Sequence, residues 1–152
     1  MLDDTGLVIV AGVSARRFGG GNKLLIEIAG MPLFLHTVRR FLPELAGRIV
    51  LVVPRAERET FRSAADRLLP GHSLIWAEGG AVRSASVKSG LAALPESVTI
   101  AAIHDAARPL ANLALLEKLV ERAREIGGAI PGKPVTDTPS SGPIRQASSA
   151  RR

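Results

Sequence analysis

The sequence contains no cysteine and no tyrosine, and its aromatic residues amount to 3%. Without cysteine the chain has neither a disulfide framework nor a thiolate metal site. The shortage of aromatic side chains removes the stacking platforms on which proteins bind single-stranded nucleic acid. The three histidines, His36, His72 and His104, are scattered and lack the spacing of metal ligands. Any binding or catalysis is therefore expected to depend on charged side chains and backbone groups.

Long hydrophobic runs are also missing. No apolar run approaches the roughly 18 residues of a membrane span. The N-terminus, Met1 to Gly6, is short and acidic, unlike a signal peptide. We therefore expect a cytoplasmic protein with no membrane partner. The 152 residues, 46% of them hydrophobic, are enough for one globular domain with a substantial core.

Positive charge is in excess, with a formal net charge of +6. Such charge is compatible with binding to nucleic acid or to phosphorylated small molecules, and the few aromatic residues favour the small molecules. Part of the excess lies at the C-terminus, where no acidic residue follows Asp137. Pro139 to Arg152 is rich in Pro, Ser and Arg and shows no apolar periodicity. We predict a disordered tail there, after a domain of residues 1–138.

Short apolar runs alternate with amphipathic segments along the chain. Strands are predicted at residues 7–11, 48–53, 74–77 and 98–103, with a short extended piece at 24–29. Helices are predicted at residues 32–42, 57–69, 83–94 and 113–126. This alternation is typical of βαβ units. The predicted fold class is therefore α/β, a doubly wound and mostly parallel sheet with helices on both faces.

Three loops of this predicted sheet carry most of the conspicuous polar residues. They are Gly12 to Lys23, Glu78 to Ser86 and His104 to Pro109, and each follows a predicted strand. In doubly wound sheets, ligands bind beyond the carboxyl ends of the strands. The three loops are therefore predicted to form one composite site.

The first loop combines glycines with cations. Gly12 and Gly19 to Gly21 leave room for backbone N–H groups to approach an anion, and Arg16, Arg17 and Lys23 add positive charge. This combination favours a polyvalent anion such as a nucleoside triphosphate. It matches neither the Walker pattern nor the dinucleotide fingerprint. A glycine-rich turn with solvated charges is the alternative interpretation.

The other two loops offer a carboxylate and a hydroxyl group. Asp105 is well placed to hold Mg²⁺, or instead to cap a helix or pair with Arg108. Its neighbour His104 is a candidate base or a structural residue. Ser86 lies where a turn enters a helix, so that it could help to bind a base edge or a phosphate, whereas Ser84 or Ser86 could equally cap the helix. The nucleophile-elbow pattern Gly-x-Ser-x-Gly is absent, so Ser86 is not predicted to be a nucleophile.

Four motifs occur in the order and spacing of one enzyme family: VIVAGVSARRFGGGNKLL, AEGGAVRSASVKSGLAAL, HDAARPL and IPGKPVTDT. From Leu7 to Thr138 the sequence resembles the 2-C-methyl-D-erythritol 4-phosphate cytidylyltransferases of the non-mevalonate isoprenoid pathway. The glycine-rich motif is shared by many sugar-phosphate nucleotidyltransferases, and the combination with HDAARP and PVTDT is more specific. The ribitol 5-phosphate cytidylyltransferases share these loops and are the alternative.

This resemblance implies a Rossmann-like nucleotidyltransferase fold and a homodimeric, Mg²⁺-dependent enzyme. The family transfers CMP from CTP to methylerythritol 4-phosphate and releases pyrophosphate, without an enzyme nucleophile. Matching motif to motif implies catalytic residues Arg17 and Lys23, the metal ligand Asp105, acceptor-binding residues Arg108 and Thr138, and nucleotide-binding residues Ala11, Gly12, Gly80, Ser86 and Ala106.

The resemblance ends after Thr138. The family continues with a projecting β-arm that dimerises and with further basic residues that bind the acceptor, and Pro139 to Arg152 has no counterpart in them. We therefore expect a fold that is incomplete at its C-terminus and a chain with weak or no turnover by itself. A non-catalytic CTP-binding remnant is the corresponding alternative to an active enzyme.

Overall fold

A parallel sheet of four strands forms the centre of the molecule. The computed structural model describes residues 2–11 and 22–132. Its strands are β1 (Thr5–Val10), β2 (Glu27–Ile28), β3 (Met31–Pro32), β4 (Ile49–Val53), β5 (Ile75–Glu78) and β6 (Ile100–Asp105). Its helices are α1 (Leu33–Leu45), α2 (Arg58–Leu68), α3 (Arg83–Ala92) and α4 (Leu113–Ile126). Strands β2 and β3 form a small antiparallel hairpin apart from the main sheet.

The strand order of the main sheet is β5-β4-β1-β6, and all neighbours are parallel. The chain moves outward from β1 to β4 and β5, and then returns to place β6 on the other side of β1. Leu7 in β1 thus pairs with Ile49 of β4 on one side and with Ala102 of β6 on the other. The reversal of order between β1 and β6 is a topological switch point, where doubly wound folds bind their ligands.

Helices cover both faces of this sheet, as predicted. Helices α1, α2 and α4 pack on one face, where Phe34, Phe61 and Leu116 join the larger core cluster. Helix α3 packs on the other face, against a smaller cluster that includes Val8 and Val52. Because β1 and β4 are buried on both faces, residues 7–10 of β1 and all of β4 are continuously apolar rather than alternating.

Helix α3 lies very close to the sheet at Gly90. A Cβ atom at this position would stand 2.3 Å from Val8 Cγ1 and 2.8 Å from Val52 Cγ2. Any side chain there would push the helix away from β1 and β4. Gly90 therefore fixes the height of α3 above the sheet, and with it the position of the loop that enters this helix.

Two predicted boundaries in the first half of the chain were wrong. Helix α1 begins after Pro32 and continues through Pro43 to Leu45, because Leu45 extends the buried stripe by one more turn. The predicted extended piece at residues 24–29 is instead a 3₁₀ turn, Lys23–Leu25, followed by the two-residue strand β2. The Asn22 side chain caps this turn by accepting from the Leu24 N–H.

The end of the fourth predicted strand was also misplaced. His104 and Asp105 were assigned to a loop, whereas both belong to β6. Their strand conformation is maintained by pairing with β1, in which Ile9 lies opposite His104 and Val10 opposite Asp105. Asp105 is thus held on the sheet itself, which places its carboxylate more rigidly than a loop position would.

In the described part of the chain, no helix combines the length and apolar character needed to cross a membrane. The glycine-rich residues 12–21 and the predicted tail from Pro139 lie outside the described residues.

Candidate nucleotide site at the carboxyl edge of the sheet

Backbone hydrogen bonds continue past the strands and align the starts of three loops. Ala11, Gly79 and Ala106 each donate their N–H to a carbonyl of the neighbouring strand, at 2.8, 2.9 and 3.1 Å. Ala11 follows β1, Gly79 follows β5 and Ala106 follows β6. Ala11 and Ala106 are buried, so each of these two loops leaves the sheet from a fixed, enclosed position. The structure therefore brings all three loop starts to one edge of the sheet.

The turn from β5 into α3 is shaped by Ser86. Its buried Oγ accepts a hydrogen bond from the Gly80 N–H at 3.0 Å and lies 3.3 Å from the Val82 carbonyl oxygen, to which the hydroxyl can donate. A Cβ atom at Gly80 would stand 2.5 Å from Ala85 Cβ. The hydroxyl of Ser86 thus fixes a tight turn that only glycine fits, instead of capping the helix from its N-cap position, which is Val82.

Asp105 forms ion pairs with two arginines. Arg83 Nη1 lies 2.5 Å from Asp105 Oδ1, and Arg108 Nε lies 3.1 Å from Oδ2. Arg108 lies in the loop that follows β6, and its pair with Asp105 is the alternative that the sequence predicts for this carboxylate. Arg83, in contrast, is the first residue of α3. The Arg83 pair therefore links the loop after β5 to the end of β6. Sequence reasoning missed this role of Arg83, although the GGAVRS turn placed a cation beside the predicted site.

His104 makes contacts of a structural kind. Its ring packs edge-on against Phe41, with the ring centroids 5.6 Å apart. Its Nε2 lies 3.0 Å from the Arg108 carbonyl oxygen, a contact in which Nε2 is the donor. The packing against Phe41 and the hydrogen bond to the backbone of the following loop both hold the end of β6 in place, so these contacts favour the structural interpretation of His104 over the base.

Thr37 is a second residue that sequence reasoning missed. Its buried Oγ1 donates a hydrogen bond of 2.7 Å to the Ala106 carbonyl oxygen. This bond ties the middle of α1 to the loop that follows β6. The available signal was a hydroxyl group in the apolar stripe of α1, where an unpaired polar group would be costly.

The residues on either side of Lys23 place it at the same edge of the sheet. Asn22 donates to Glu57 Oε2 at 2.8 Å, and Glu57 lies in the 3₁₀ turn Arg55–Glu57 directly after β4. Leu24 is buried in the core and anchors the turn that contains the half-buried Lys23. Lys23, Ser86 and Asp105 therefore lie at one edge of the sheet. Arg17, Gly12 and Thr138 lie outside the described residues.

A groove of about 900 Å³ runs along β6 and α4 and ends at the ion-paired cluster. Arg83, Asp105 and Arg108 line the groove at the carboxyl edge of the sheet, and Thr99 and Arg124 line it at the amino edge. The lining between them is mostly apolar and includes Ile100 and Leu116. The exposed fractions of the Arg83, Asp105 and Arg108 side chains are 53%, 30% and 74%. The cluster is thus open to a dissolved ligand.

Asp105 suits a particular kind of metal binding. Within residues 2–11 and 22–132, no group of three or more His, Cys, Asp or Glu side chains could enclose a metal ion. Mg²⁺ is commonly held by one or two carboxylates together with substrate phosphates and water. A single strand-end carboxylate beside cationic side chains therefore fits a divalent cation that binds together with a nucleotide.

Comparison with solved structures identifies the fold. The fold is similar to that of a 4-diphosphocytidyl-2C-methyl-D-erythritol synthase from Anaerococcus prevotii, with a TM-score of 0.64 and 23% identity over 80% of this chain and 51% of that chain. A nucleotidyl transferase from Methanothermobacter thermautotroptrophicus gives a TM-score of 0.58 and 21% identity over 77% and 56%. The fold is that of the α/β nucleotidyltransferases.

The family follows from the sequence. The family model for IspD, 2-C-methyl-D-erythritol 4-phosphate cytidylyltransferase, matches residues 5–147, which extends the likeness past Thr138 into the predicted tail. The chain belongs to this family. Cytidylyltransferases of that name from Shouchella clausii and Geobacillus thermodenitrificans are 38% and 39% identical to it over 133 residues, or 87% of this chain. The chain spans 58% of the length of each of these two relatives.

A further structural neighbour concerns metal binding. Rv0371c from Mycobacterium tuberculosis, in a complex with manganese, has a TM-score of 0.55 and 19% identity over 80% of this chain and 59% of that chain. This likeness establishes a shared fold between the two proteins.

Proposed function

We propose that the chain binds CTP at the carboxyl edge of its sheet and transfers CMP to 2-C-methyl-D-erythritol 4-phosphate. The observation that carries this proposal is Asp105, held between Arg83 and Arg108 at the switch point of a chain that belongs to the cytidylyltransferase family. In this reaction a phosphate oxygen of the acceptor attacks the α-phosphorus of CTP. The bond from that phosphorus to the bridging oxygen breaks, and pyrophosphate leaves with the electron pair.

Positive side chains would supply most of the catalysis. Charge builds up on the oxygens around the α-phosphorus as the acceptor approaches, and fixed cations stabilise it. Lys23, on its anchored 3₁₀ turn, is proposed for this role together with Arg17. An Asp105 oxygen would hold Mg²⁺, which, when bound, neutralises charge on the phosphate oxygens.

The remaining residues would position the two substrates. Small residues allow close approach of the nucleotide to the backbone. Ala11 and Ala106 stand at two of the aligned loop starts, Gly80 directly follows the third, and Gly12 follows Ala11 in the sequence. Ser86 would act by holding the turn at Gly80. Arg108 and Thr138 are proposed to bind the phosphate of the acceptor, and the largely exposed Arg108 side chain is free to reach it.

Calorimetric titration of the 152-residue chain tests nucleotide binding. We expect CTP to bind more tightly than UTP or ATP, and more tightly with Mg²⁺ than with EDTA. Equal affinity for the three nucleotides, or no binding, would refute a cytidine nucleotide site. Replacing Ser86 by Ala should weaken CTP binding, whereas Ser84→Ala, at an exposed position of the same helix, should not.

Release of pyrophosphate tests catalysis. With CTP and methylerythritol 4-phosphate, Lys23→Ala should lower the rate by about 100-fold or more, the usual cost of removing a group that stabilises the transition state. Lys88→Ala removes an equal charge from an exposed position on α3 and should leave the rate unchanged. Faster release with ribitol 5-phosphate would reassign the acceptor. Binding of CTP without any release would identify a non-catalytic CTP-binding protein.

A further inference from the structure

The two arginines on Asp105 differ in where they come from. Arg108 is three residues further along the chain, in the loop that follows β6, so its pair with Oδ2 is local. Arg83 is the first residue of α3, 22 residues away in sequence, and occupies Oδ1 with one nitrogen, Nη1. The carboxylate that would hold the metal therefore has an arginine on each of its two oxygens.

A divalent cation and these arginines compete for the same carboxylate. Both are drawn to the Asp105 oxygens, and a cation bound there would be repelled by guanidinium groups within a few ångströms. The free metal ion should thus bind poorly while Arg83 stays in place. Anything that offers Arg83 a different anionic partner removes this obstacle.

A triphosphate provides that partner. Its oxygens accept hydrogen bonds from guanidinium groups with good geometry, and they also bind the metal. Arg83 is half exposed, lines the open groove and holds Asp105 by a single nitrogen, so it can turn without disturbing the core. Arg83 also begins the helix next to the turn at Gly80, where we propose that the nucleotide lies.

We propose that Arg83 changes partner from Asp105 to a phosphate oxygen of the nucleotide, so that Asp105 accepts the metal–nucleotide complex in preference to the free metal ion. This inference rests on the proposed function, since it assumes a nucleoside triphosphate at this edge. It makes Arg83 a residue that positions Asp105 and selects the form in which the metal binds.

The test measures two affinities with Mn²⁺ as the probe. Free Mn²⁺, followed by its electron paramagnetic resonance signal, is titrated with the protein alone. The Mn²⁺ complex of CTP is titrated separately by calorimetry. Arg83→Gln should strengthen binding of Mn²⁺ alone by about fivefold, the size of the interaction of unit charges about 4 Å apart in water. The same variant should weaken binding of the Mn²⁺–CTP complex by about fivefold to tenfold, because an arginine–phosphate contact is lost.

Three further variants make this result specific. Arg83→Lys keeps the charge and should bind Mn²⁺ alone like the wild type, with an intermediate affinity for the complex. Lys88→Gln, on the exposed side of the same helix, should change neither affinity. In an Asp105→Asn background, Arg83→Gln should no longer strengthen Mn²⁺ binding, because the shared carboxylate is gone. Thermal unfolding of each variant verifies that the fold is retained.

The decisive outcome is that Arg83→Gln changes the affinities for free Mn²⁺ and for the Mn²⁺–CTP complex in opposite directions. If Arg83→Gln weakens both affinities, strengthens both or leaves either unchanged, the exchange of partners is refuted. If the wild type binds no Mn²⁺–CTP complex, the proposed function fails and this inference fails with it. If the wild type binds the complex but Arg83→Gln does not change the two affinities in opposite directions, only this inference fails.

Discussion

Asp4 and Asp105 show how one kind of ion pair serves two purposes. Asp4 immediately precedes β1 at the amino edge of the sheet, and Asp105 ends β6 at the carboxyl edge. Their side chains are almost equally exposed, at 31% and 30%, and each pairs with arginine. What differs is the way in which the arginines bind.

At the amino edge the carboxylate is fully engaged. Arg124 donates two hydrogen bonds to Asp4, one from each terminal guanidinium nitrogen to each carboxylate oxygen. The Thr99 hydroxyl donates a further hydrogen bond to Oδ2. These hydrogen bonds, that from Arg124 above all, hold the pKa of Asp4 far below its usual range, and Asp4 in turn raises the pKa of Arg124. The forked pair therefore joins the start of β1 to the end of α4, and the Thr99 hydrogen bond adds the start of β6.

At the carboxyl edge the carboxylate is shared between single contacts. Arg83 and Arg108 each use one nitrogen on Asp105, and both arginines are more exposed than Arg124, whose side chain is 43% exposed. A fork on one partner resists exchange, because two bonds must break together, whereas single contacts can be replaced one at a time. The amino edge is built to hold the sheet together, and the carboxyl edge is built to exchange partners.

Replacing each aspartate by asparagine tests this contrast and has the largest expected effect. Asp105→Asn should weaken binding of the Mn²⁺–CTP complex by at least about tenfold. Even residues that only hydrogen-bond a metal ligand change metal affinity by about this factor when they are replaced. Its melting temperature should change little. Asp4→Asn should do the reverse, lowering the melting temperature and leaving nucleotide affinity unchanged. Equal losses of nucleotide affinity in the two variants would contradict the conclusion that Asp105 serves ligand binding and Asp4 serves stability.

The pH dependence of stability sharpens the contrast at Asp4. Because its pKa is lower in the folded protein than in the unfolded chain, ionised Asp4 stabilises the fold above the unfolded-state pKa, about 3.9. This contribution is lost as the pH falls toward the folded-state pKa. The melting temperature of the wild type should exceed that of Asp4→Asn by a constant amount from about pH 5 to 8, and the difference should shrink below about pH 4. A difference that persists at low pH would show that Asp4 acts through packing.

The smallest expected effect concerns the fork itself. Arg124→Lys keeps the charge but cannot bind both oxygens of Asp4 in the same way, so the melting temperature should fall by a few degrees. Arg122→Lys is the matched control, because Arg122 pairs with Glu125 on the exposed side of the same helix, where ion pairs contribute little. Equal changes in the two variants would show that the fork has no special role.

Local pattern was enough for most of the fold. The helical period gave α4 as Leu113–Ile126, and the branched apolar runs located β1 and β4 to within two residues at each end. The errors arose where a partner decided the outcome. Because β6 pairs with β1, it extends as far as Asp105 and not only to Ile103. Because Leu45 packs in the core, α1 extends beyond its predicted end at Leu42.

The same division applies to the candidate site. The sequence by itself determined which groups follow the strands: glycines, cations, a serine and a carboxylate, whose types favour an anionic ligand that binds with a metal ion. Only the tertiary structure decided that Arg83 meets Asp105, that Thr37 holds the loop after β6, and that Asn22 joins Lys23 to the end of β4. The physical reason is that strand and helix periods act over a few residues, whereas these contacts depend on the strand order β5-β4-β1-β6, which brings distant parts of the chain to one edge.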